Sequence, residues 1–362
     1  MTQPPLLDIS QLVVQFRQGR RTQPFRAVDG VSLTIAEGET VGLVGESGSG
    51  KSTLGRAVLG LNQVHSGRIQ FEGRDITRAS TRDRRALSAR LQVVFQDPYS
   101  SLNPARTIGQ TLAEPLMAHG GTDRKGVAQR IATMLERVGL PPDTAQRFPG
   151  QFSGGQRQRI AIARALMLHP RLVICDEPVS ALDLSIQAQV MNLLAELQQE
   201  LSLSYLFIAH DLPVVRHLSH RIVVLYRGQV MESGPAGAVY DDPAHPYTQM
   251  LLEAVPEPDP RIQRVRRSAR EAKRVSGVPA DTGCAFAHRC AHAVDLCHRE
   301  RPDLQPFSEG RGNSTGDDGR AVACHRSAEL HGLPMPRRTN TQELESAPSG
   351  PERKEAPCAD SE

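Results

Sequence analysis

The spacing of apolar residues changes several times along the chain and predicts alternating strands and helices. Apolar and polar positions alternate over residues 6–16 and 26–45, which is typical of half-buried strands. Residues 172–177 (LVICDE) begin as a short apolar run and end in two acids, as a buried parallel strand would. The pattern also indicates strands at 68–72, 91–95 and 204–209, helices at 51–61, 105–140, 155–168, 185–200 and 212–219, and a hairpin-like strand pair at 221–233.

This order of elements predicts a first domain over residues 1–255, an α/β core with early antiparallel strands and a helical insertion. Three prolines in VPEPDP then interrupt the pattern. A cysteine-rich extension is expected within residues 256–334. Residues 335–362 are rich in Pro, Ser, Glu and Thr, and we predict that they are disordered.

Composition limits the classes of function. Aromatic residues make up only 4% of the 362 residues, so the core must be aliphatic, and the net charge of +3 does not by itself indicate nucleic-acid binding. No run of about 18 apolar residues could span a bilayer, and the first residues do not resemble a secretory signal. We therefore expect a cytoplasmic protein whose membrane role, if any, comes through a partner.

The sequence GESGSGKS at residues 45–52 follows a predicted strand and precedes a predicted helix. Gly48 and Gly50 let the backbone wrap closely around an anion, and the N–H groups of the helix start point at phosphates. Lys51 is expected to reach the β- and γ-phosphates of a nucleotide and Ser52 to hold Mg²⁺. The predicted nucleotide contacts here are Gly45, Glu46, Ser47, Gly48, Ser49, Gly50, Lys51, Ser52 and Thr53.

Two acidic residues end the apolar strand that follows about 125 residues later. Asp176 is expected to hold the magnesium ion through water, and Glu177 to polarise the attacking water. Taken alone, such a pair could equally be an acidic helix start; the preceding phosphate loop favours the catalytic interpretation.

Between these elements lies FSGGQRQRIAIARAL, in which Ser153, Gly154, Gly155 and Gln156 open a helix and offer a second anion site. A second half-site is useful only if it completes the site of a partner, which predicts a head-to-tail dimer with two ATP molecules at its interface. These residues resemble the signature motif of ABC-transporter ATPases. With AVDGVSL, GESGSGKSTLGRAVLGL, FQDPYSSLNP and ALDLSIQAQV, they are similar to the ATPase subunits of oligopeptide and dipeptide importers.

The resemblance implies a P-loop ABC ATPase domain with a RecA-like core, an antiparallel β-subdomain and a helical subdomain, followed by a small cysteine-rich extension. It implies that ATP hydrolysis, carried by Glu177, His210 and Lys51, powers peptide import. Gln96 resembles the Q-loop glutamine, which touches magnesium and signals to the membrane subunit, and His210 resembles the switch histidine. Ala181, Leu182 and Asp183 resemble the D-loop; Phe16 is the candidate for stacking on adenine, with Phe25 as the alternative.

The implied partners are a second ATPase subunit, identical or different, two transmembrane permease subunits and an extracytoplasmic substrate-binding protein, without nucleic acid. The chain would lie on the cytoplasmic face of the inner membrane. Other cargoes of related ATPases, namely nickel complexes, glutathione and oligosaccharides, remain open. A soluble ABC ATPase acting on nucleic acid or ribosomes is the alternative of another class, although the chain has one cassette and none of the usual insertions.

Four of the six cysteines cluster late in the chain. Five residues separate Cys284 from Cys290, six separate Cys290 from Cys297, and twenty-six separate Cys297 from Cys324. Four thiolates can hold zinc or a [4Fe–4S] cluster, and these gaps fit the usual zinc pairs poorly. The family resemblance implies an iron–sulfur cluster; zinc and unliganded thiols are the alternatives. The basic residues 261–274 could contact anionic lipid or form a solvated linker helix.

Overall fold

The computed structural model describes residues 4–17, 24–97, 101–120, 123–255, 277–278, 282–307 and 319–330. The basic segment 261–274 and the tail 335–362 lie outside the described residues, so neither expectation about them is tested.

A central sheet, eight-stranded among the described residues, forms the core of the fold. Five of its strands are parallel, and every residue of β3, β7 and β8 is buried. Burial on both faces suits the apolar runs of β7 and β8. It corrects the expectation for residues 40–44, which the pattern over 26–45 placed in a half-buried strand but which are buried throughout. In spatial order the parallel strands are β6 (Leu91–Val94), β7 (Leu172–Asp176), β8 (Ser204–Ala209), β3 (Thr40–Val44) and β9 (Arg221–Tyr226).

A second sheet of four antiparallel strands contains the alternating segments near the N-terminus. One aliphatic core joins the two sheets, with Ile9 of the second sheet, Leu54 of the first helix and Leu206 of β8 among its members. The continuous strand pattern at 26–45 is divided by a turn at Gly38, whose φ of +72° favours glycine. The strand order is β2 (Phe25–Ile35), β1 (Leu7–Phe16), β4 (Ser66–Phe71) and β5 (Arg74–Asp75).

Helices pack around the central sheet, and three of them form the insertion between β6 and β7. Thr107 caps the first of these helices in a capping box with Gln110, and Asp123 caps the second, so the periodic segment 105–140 is two helices. Up to residue 255 the described helices are α1 (Lys51–Val58), α2 (Thr81–Leu87), α3 (Ile108–Ala118), α4 (Arg124–Arg137), α5 (Gly154–Leu166), α6 (Leu184–Leu201), α7 (Leu212–Leu218), α8 (Ala236–Asp241) and α9 (Pro246–Glu253), with 3₁₀ turns at Pro142–Gln146 and Pro149–Gln151. Beyond it lie the short helices α10 (Asp295–Arg299) and α11 (Ser327–Leu330) and the 3₁₀ turn Ala287–Arg289.

The described residues 282–307 and 319–330, here called the cysteine module, are packed directly on the first domain. The strand Ala321–Val322 pairs with β10 (Gln229–Pro235), and Gln305–Pro306 pairs with Ala321–Val322. The central sheet therefore continues across the predicted boundary at residue 255. Strands of two residues carry no periodicity, which is why the sequence pattern does not indicate them.

The close contact between β3 and α7 leads to a first prediction. A Cβ atom at Gly42 would lie 2.0 Å from Val215 Cγ1 and 2.6 Å from Ser219 Oγ. Gly42→Ala should therefore destabilise the chain by about 1–3 kcal/mol through overpacking, measured as a lower midpoint of urea unfolding. Gly150→Ala is the matched control, because nothing lies within 4 Å of that Cβ position. Equal midpoints for the two variants would contradict the prediction.

Candidate nucleotide site

The loop of residues 45–52 joins β3 to α1 at the carboxyl edge of the central sheet. Gly48 and Gly50 have φ values of +79° and +104°, which favour glycine. A Cβ atom on Gly50 would lie 2.1 Å from the carbonyl oxygen of Ala27, so no other residue fits without displacing backbone. The loop is therefore built from backbone positions that only glycine can occupy at this spacing, as the sequence motif predicts.

Lys51, the first residue of α1, has only 4% of its surface exposed. Its Nζ donates hydrogen bonds to the carbonyl oxygens of Gly45 at 2.7 Å and Glu46 at 2.9 Å, and it forms no ion pair with any described carboxylate. Burial lowers the pKa of Lys51, while the charges of Glu177, Asp176 and Glu46 oppose that shift. A buried ammonium without a paired anion is costly, so this position fits an anionic ligand such as a phosphate.

Ser52 and Asp176 lie together beside this loop. Ser52 Oγ donates a hydrogen bond of 2.7 Å to Asp176 Oδ1, and the aspartate at the end of β7 is buried. A hydroxyl and a carboxylate in contact are oxygen ligands of the kind that Mg²⁺ prefers. The donor chemistry of this pair therefore fits the magnesium ion that an ATPase requires.

Glu177 follows Asp176 and is held at the same edge of the sheet. Gln96 Nε2 donates to Glu177 Oε2 at 3.1 Å, and His210 Nδ1 lies 3.7 Å from the same oxygen. The backbone of Glu177 has a φ of +49°, in the left-handed region. The structure thus brings three of the residues singled out from the sequence to one point. It pairs Gln96 with Glu177, whereas the sequence-based expectation places it on magnesium; no described hydrogen bond joins Gln96 to Ser52 or Asp176.

The signature residues lie on an exposed helix start. Ser153 Oγ accepts a hydrogen bond from Gln156 N at 3.3 Å, and Gln156 Oε1 accepts one from Ser153 N at 3.0 Å, a capping box at the start of α5. Gly155 is buried, and a Cβ there would lie 2.5 Å from Ile186 Cγ2 of α6. Gly154 is half-buried at the helix start. Among the described residues no hydrogen bond links residues 153–156 to the phosphate loop of the same chain.

The residues that resemble the D-loop also face solvent. Asp183 caps α6 by accepting a hydrogen bond from Ile186 N at 3.0 Å. Ala181 is exposed, Leu182 is half-buried, and the neighbouring Leu184 is 83% exposed.

The two candidate aromatics face each other across the antiparallel pair of β1 and β2. Phe16 and Phe25 are register partners and are similarly exposed, at 43% and 42%. Their equivalence leaves Phe16 as the candidate for the adenine contact and Phe25 as the alternative.

Sequence reasoning missed two residues that hold the phosphate loop. The backbone N–H of Glu46 donates to Tyr247 Oη at 2.9 Å. Arg289 Nη1 and Nη2 donate to the two carboxylate oxygens of Glu46 at 2.8 and 2.9 Å, and these hydrogen bonds raise the pKa of Arg289. The two partners lie 201 and 243 residues from Glu46 in the chain, so no local pattern signals them.

The four late cysteines line one small cavity together with His245 and Phe286. All four are free thiols; burial raises the pKa of Cys284, and raises those of Cys290 and Cys324 to about 11. The sulfur donors suit zinc or an iron–sulfur cluster. In the described part of the chain, however, no three Cys, His, Asp or Glu side chains are arranged so that they could hold a metal ion. The four cysteines that were expected as ligands therefore line one cavity but are not arranged as a metal site.

None of the helices that the structure describes combines the length and hydrophobicity needed to cross a bilayer.

Two family models match the chain. The model described as "ABC transporter" matches residues 28–180, which include the phosphate loop, residues 153–156 and the acidic pair. The model described as "Oligopeptide/dipeptide transporter, C-terminal region" matches residues 231–297, which include three of the four clustered cysteines.

Relatives match over almost their whole length. The putative oligopeptide transport ATP-binding protein YkfD of Bacillus subtilis is 46% identical over 329 residues, which cover 90% of this chain and 97% of that protein. The oligopeptide transport ATP-binding protein OppF of Salmonella typhimurium is 48% identical over 309 residues, 83% of this chain and 92% of that protein.

Among solved structures, the dimeric ATP-binding cassette MJ0796 in a post-hydrolysis state with ADP and Pi is 28% identical. It aligns with a TM-score of 0.58 over 64% of this chain and 98% of that chain. This match confirms the predicted P-loop ABC ATPase fold.

The glycine-built phosphate loop, the buried lysine and the neighbouring acidic pair define a P-loop nucleotide hydrolase of the ABC class. The chain belongs to the family of ABC-transporter ATP-binding proteins, in the branch that carries the oligopeptide/dipeptide transporter C-terminal region. The resemblance drawn from the sequence motifs is thereby confirmed.

Proposed function

We propose that this chain is the ATP-binding and ATP-hydrolysing subunit that powers import of peptides by a membrane ABC transporter. The observation that carries the ATPase part is the phosphate loop, in which the buried Lys51, whose ammonium pairs with no described carboxylate, lies beside the Ser52–Asp176 pair and Glu177. The peptide part is supported by the relatives, which are named as peptide and oligopeptide transport ATP-binding proteins.

In this proposal each residue of the site has a separate task. The N–H groups of residues 45–53 and the ammonium of Lys51 bind the phosphates. Ser52 and Asp176 would hold Mg²⁺, with Gln96 joining them on release from Glu177; the ion supplies charge neutralisation between the β- and γ-phosphates. Glu177 orients the attacking water and draws its proton, while His210 contacts the γ-phosphate side.

The exposed anion site of residues 153–156 supports a dimer. Ser153 and Gln156 are exposed at the start of α5, and the first turn of α5 carries no acidic residue that would repel a phosphate. In a head-to-tail dimer each such helix start would close on the ATP held by the other subunit. Residues 181–183 would cross that interface beside Leu184, with a second subunit that is either a copy of this chain or a related ATPase.

Coupling to transport requires further partners. We propose two transmembrane permease subunits and an extracytoplasmic substrate-binding protein, which place the chain peripherally on the cytoplasmic face of the inner membrane. The names of the relatives favour peptide over nickel complexes, glutathione or oligosaccharides, and favour transport over action on nucleic acid or ribosomes.

For the cysteine module we propose ligation of an iron–sulfur cluster by Cys284, Cys290, Cys297 and Cys324, with zinc as the alternative. Four sulfur donors around one cavity support it. Because the described cysteine side chains are not arranged as a metal site, binding must draw them together, and the energy released would stabilise a small module.

Removal of the Glu177 carboxylate should slow ATP hydrolysis strongly while ATP binding is retained. Glu177→Gln keeps the size and polarity of the side chain but removes the base, so hydrolysis should fall by roughly 10²–10⁴-fold. ATP binding should persist, and the variant should accumulate as an ATP-dependent dimer in light scattering. Glu136→Gln, at an exposed position of α4, is the control. Turnover at the wild-type rate in Glu177→Gln would refute the assignment.

Peptide import can be tested in cells that lack this chain. Uptake of labelled di- and oligopeptides should be lost, restored by the wild-type chain, and not restored by Lys51→Ala, because the buried ammonium at the phosphate loop would be missing. Lys125→Ala, on the exposed surface of α4, should restore uptake. Normal peptide uptake without the chain, together with loss of nickel, glutathione or oligosaccharide uptake, would assign another cargo.

The cysteine proposal is tested by metal and sulfide analysis of the anaerobically purified full chain, with its visible absorption. Iron, acid-labile sulfide and charge-transfer bands are expected, and Cys290→Ser should lose them. Cys175→Ala should retain them, because Cys175 is buried in β7 and does not line the cavity. Zinc in place of iron would favour the alternative, and a metal-free chain with full ATPase activity would exclude both.

A further inference from the structure

Among the described residues, the hydrogen bonds that join the cysteine module to the phosphate loop go to Glu46. This glutamate is the second residue of the phosphate loop, and its three polar groups are all engaged. Its N–H donates to Tyr247 Oη, its carbonyl accepts from Lys51 Nζ, and its carboxylate accepts two hydrogen bonds from Arg289. Glu46 therefore connects the ammonium that would meet phosphate to a guanidinium of the cysteine module.

Arg289 is also held in place by contacts other than its hydrogen bonds to Glu46. It ends the 3₁₀ turn Ala287–Arg289, and its N–H donates to the carbonyl of Phe286 at 3.0 Å. The guanidinium carbon lies 5.9 Å from the ring centres of both Tyr226 and Phe286. A two-point hydrogen bond from such a held guanidinium sets both the direction and the distance of the carboxylate.

The ring of Phe286 anchors this turn to the first domain. It is almost fully buried, and its ring centre lies 5.5 Å from that of Tyr226, edge-on, and 5.4 Å from that of Tyr247. Tyr247 is also the residue that receives the N–H of Glu46. One aromatic cluster thus positions both groups that hold Glu46.

The module does not need Arg289 for its attachment. The strand Ala321–Val322 pairs with β10, and Arg301 donates to Asp29 Oδ2 at 2.8 Å and to the Asp29 carbonyl at 2.9 Å. Loss of the single Arg289–Glu46 pair leaves these contacts and the burial of Phe286 in place. Its effect should therefore fall on the phosphate loop more than on the docking of the module.

We propose that Arg289 is a positioning residue for nucleotide binding, which holds the phosphate loop through Glu46 in the conformation that presents Lys51 and the loop N–H groups to phosphate. This inference rests on the ATP-binding function proposed above. Arg289 is placed on the second residue of the loop, and no described contact joins it to Glu177, Gln96 or His210. Its loss should therefore weaken binding of the ground state and transition state alike, raising KM with little change in kcat.

The test uses the full chain and compares the wild type with Arg289→Gln. Binding of trinitrophenyl-ATP with Mg²⁺ gives Kd, and steady-state hydrolysis gives KM and kcat. Arg289→Gln should raise Kd and KM by roughly 3- to 10-fold, the range expected for a half-exposed two-point ion pair, and leave kcat within about twofold. Arg299→Gln is the matched control, because Arg299 pairs with Asp295 on the surface of the same module.

A double-mutant cycle separates positioning from a general loss of structure. Glu46→Gln should weaken binding similarly, and the double variant Glu46→Gln/Arg289→Gln should be no weaker than either single variant, because one interaction is removed in all three. Arg301→Gln removes a different charged anchor of the module, its pair with Asp29, and should leave Kd unchanged.

The outcomes distinguish this inference from the function on which it rests. A wild-type chain that does not bind the nucleotide would refute the proposed ATPase. A wild-type chain that binds, together with an Arg289→Gln variant of equal Kd, would overturn the positioning role, as would losses that add fully in the double variant. If Arg289→Gln unfolds at a lower temperature than the assay allows, Arg289→Lys takes its place; lysine keeps the charge but not the paired hydrogen bonds. A Kd unchanged in that variant would overturn the proposal.

Discussion

A buried ammonium that pairs with none of the described carboxylates is the constraint on which this structure depends. Lys51 begins α1 with its ammonium turned back onto the carbonyls of Gly45 and Glu46. Carbonyl oxygens replace part of its hydration, and the charge is left for an anion to neutralise. Packing requires glycine near it at two positions, since a Cβ atom would lie 2.0 Å from the Leu225 carbonyl oxygen at Gly45 and 2.1 Å from that of Ala27 at Gly50. Binding of phosphate thus completes an electrostatic arrangement that folding leaves open.

Local chemistry could be predicted from the sequence, because it depends on residues close together in the chain. The glycine spacing before Lys51, and the acids at the end of a buried apolar strand, lie where the pattern places them. Contacts between distant segments could not be predicted. Tyr247 and Arg289 reach Glu46 across more than 200 residues, and the strand Ala321–Val322 is too short to carry a periodic signal.

The start of α5 is exposed at Ser153 and Gln156 in the single chain, yet its conformation is stabilised from within the chain. The capping box of Ser153 and Gln156 satisfies two polar groups at the helix start within the helix itself, so α5 is stable without a ligand. Gly155 is required by the packing of α5 on Ile186, a structural reason that stands beside any role in binding phosphate. The signature residues are therefore folded in the single chain, at a helix start where the proposed second subunit would meet them.

The cysteine module is connected to the phosphate loop through the turn that carries Arg289. Arg289 and Cys290 are neighbours in sequence, and the N–H of Cys290 donates to the carbonyl of Ala287 in the same turn. Any ligand that orders the cysteine cavity must also restrict the turn that carries Arg289. If order in that turn favours the loop conformation that binds phosphate, thermodynamic linkage makes the effect mutual, and nucleotide binding stabilises the module by the same free energy. Even a coupling of about 1–3 kcal/mol would be a large fraction of the free energy of unfolding that is typical of a protein.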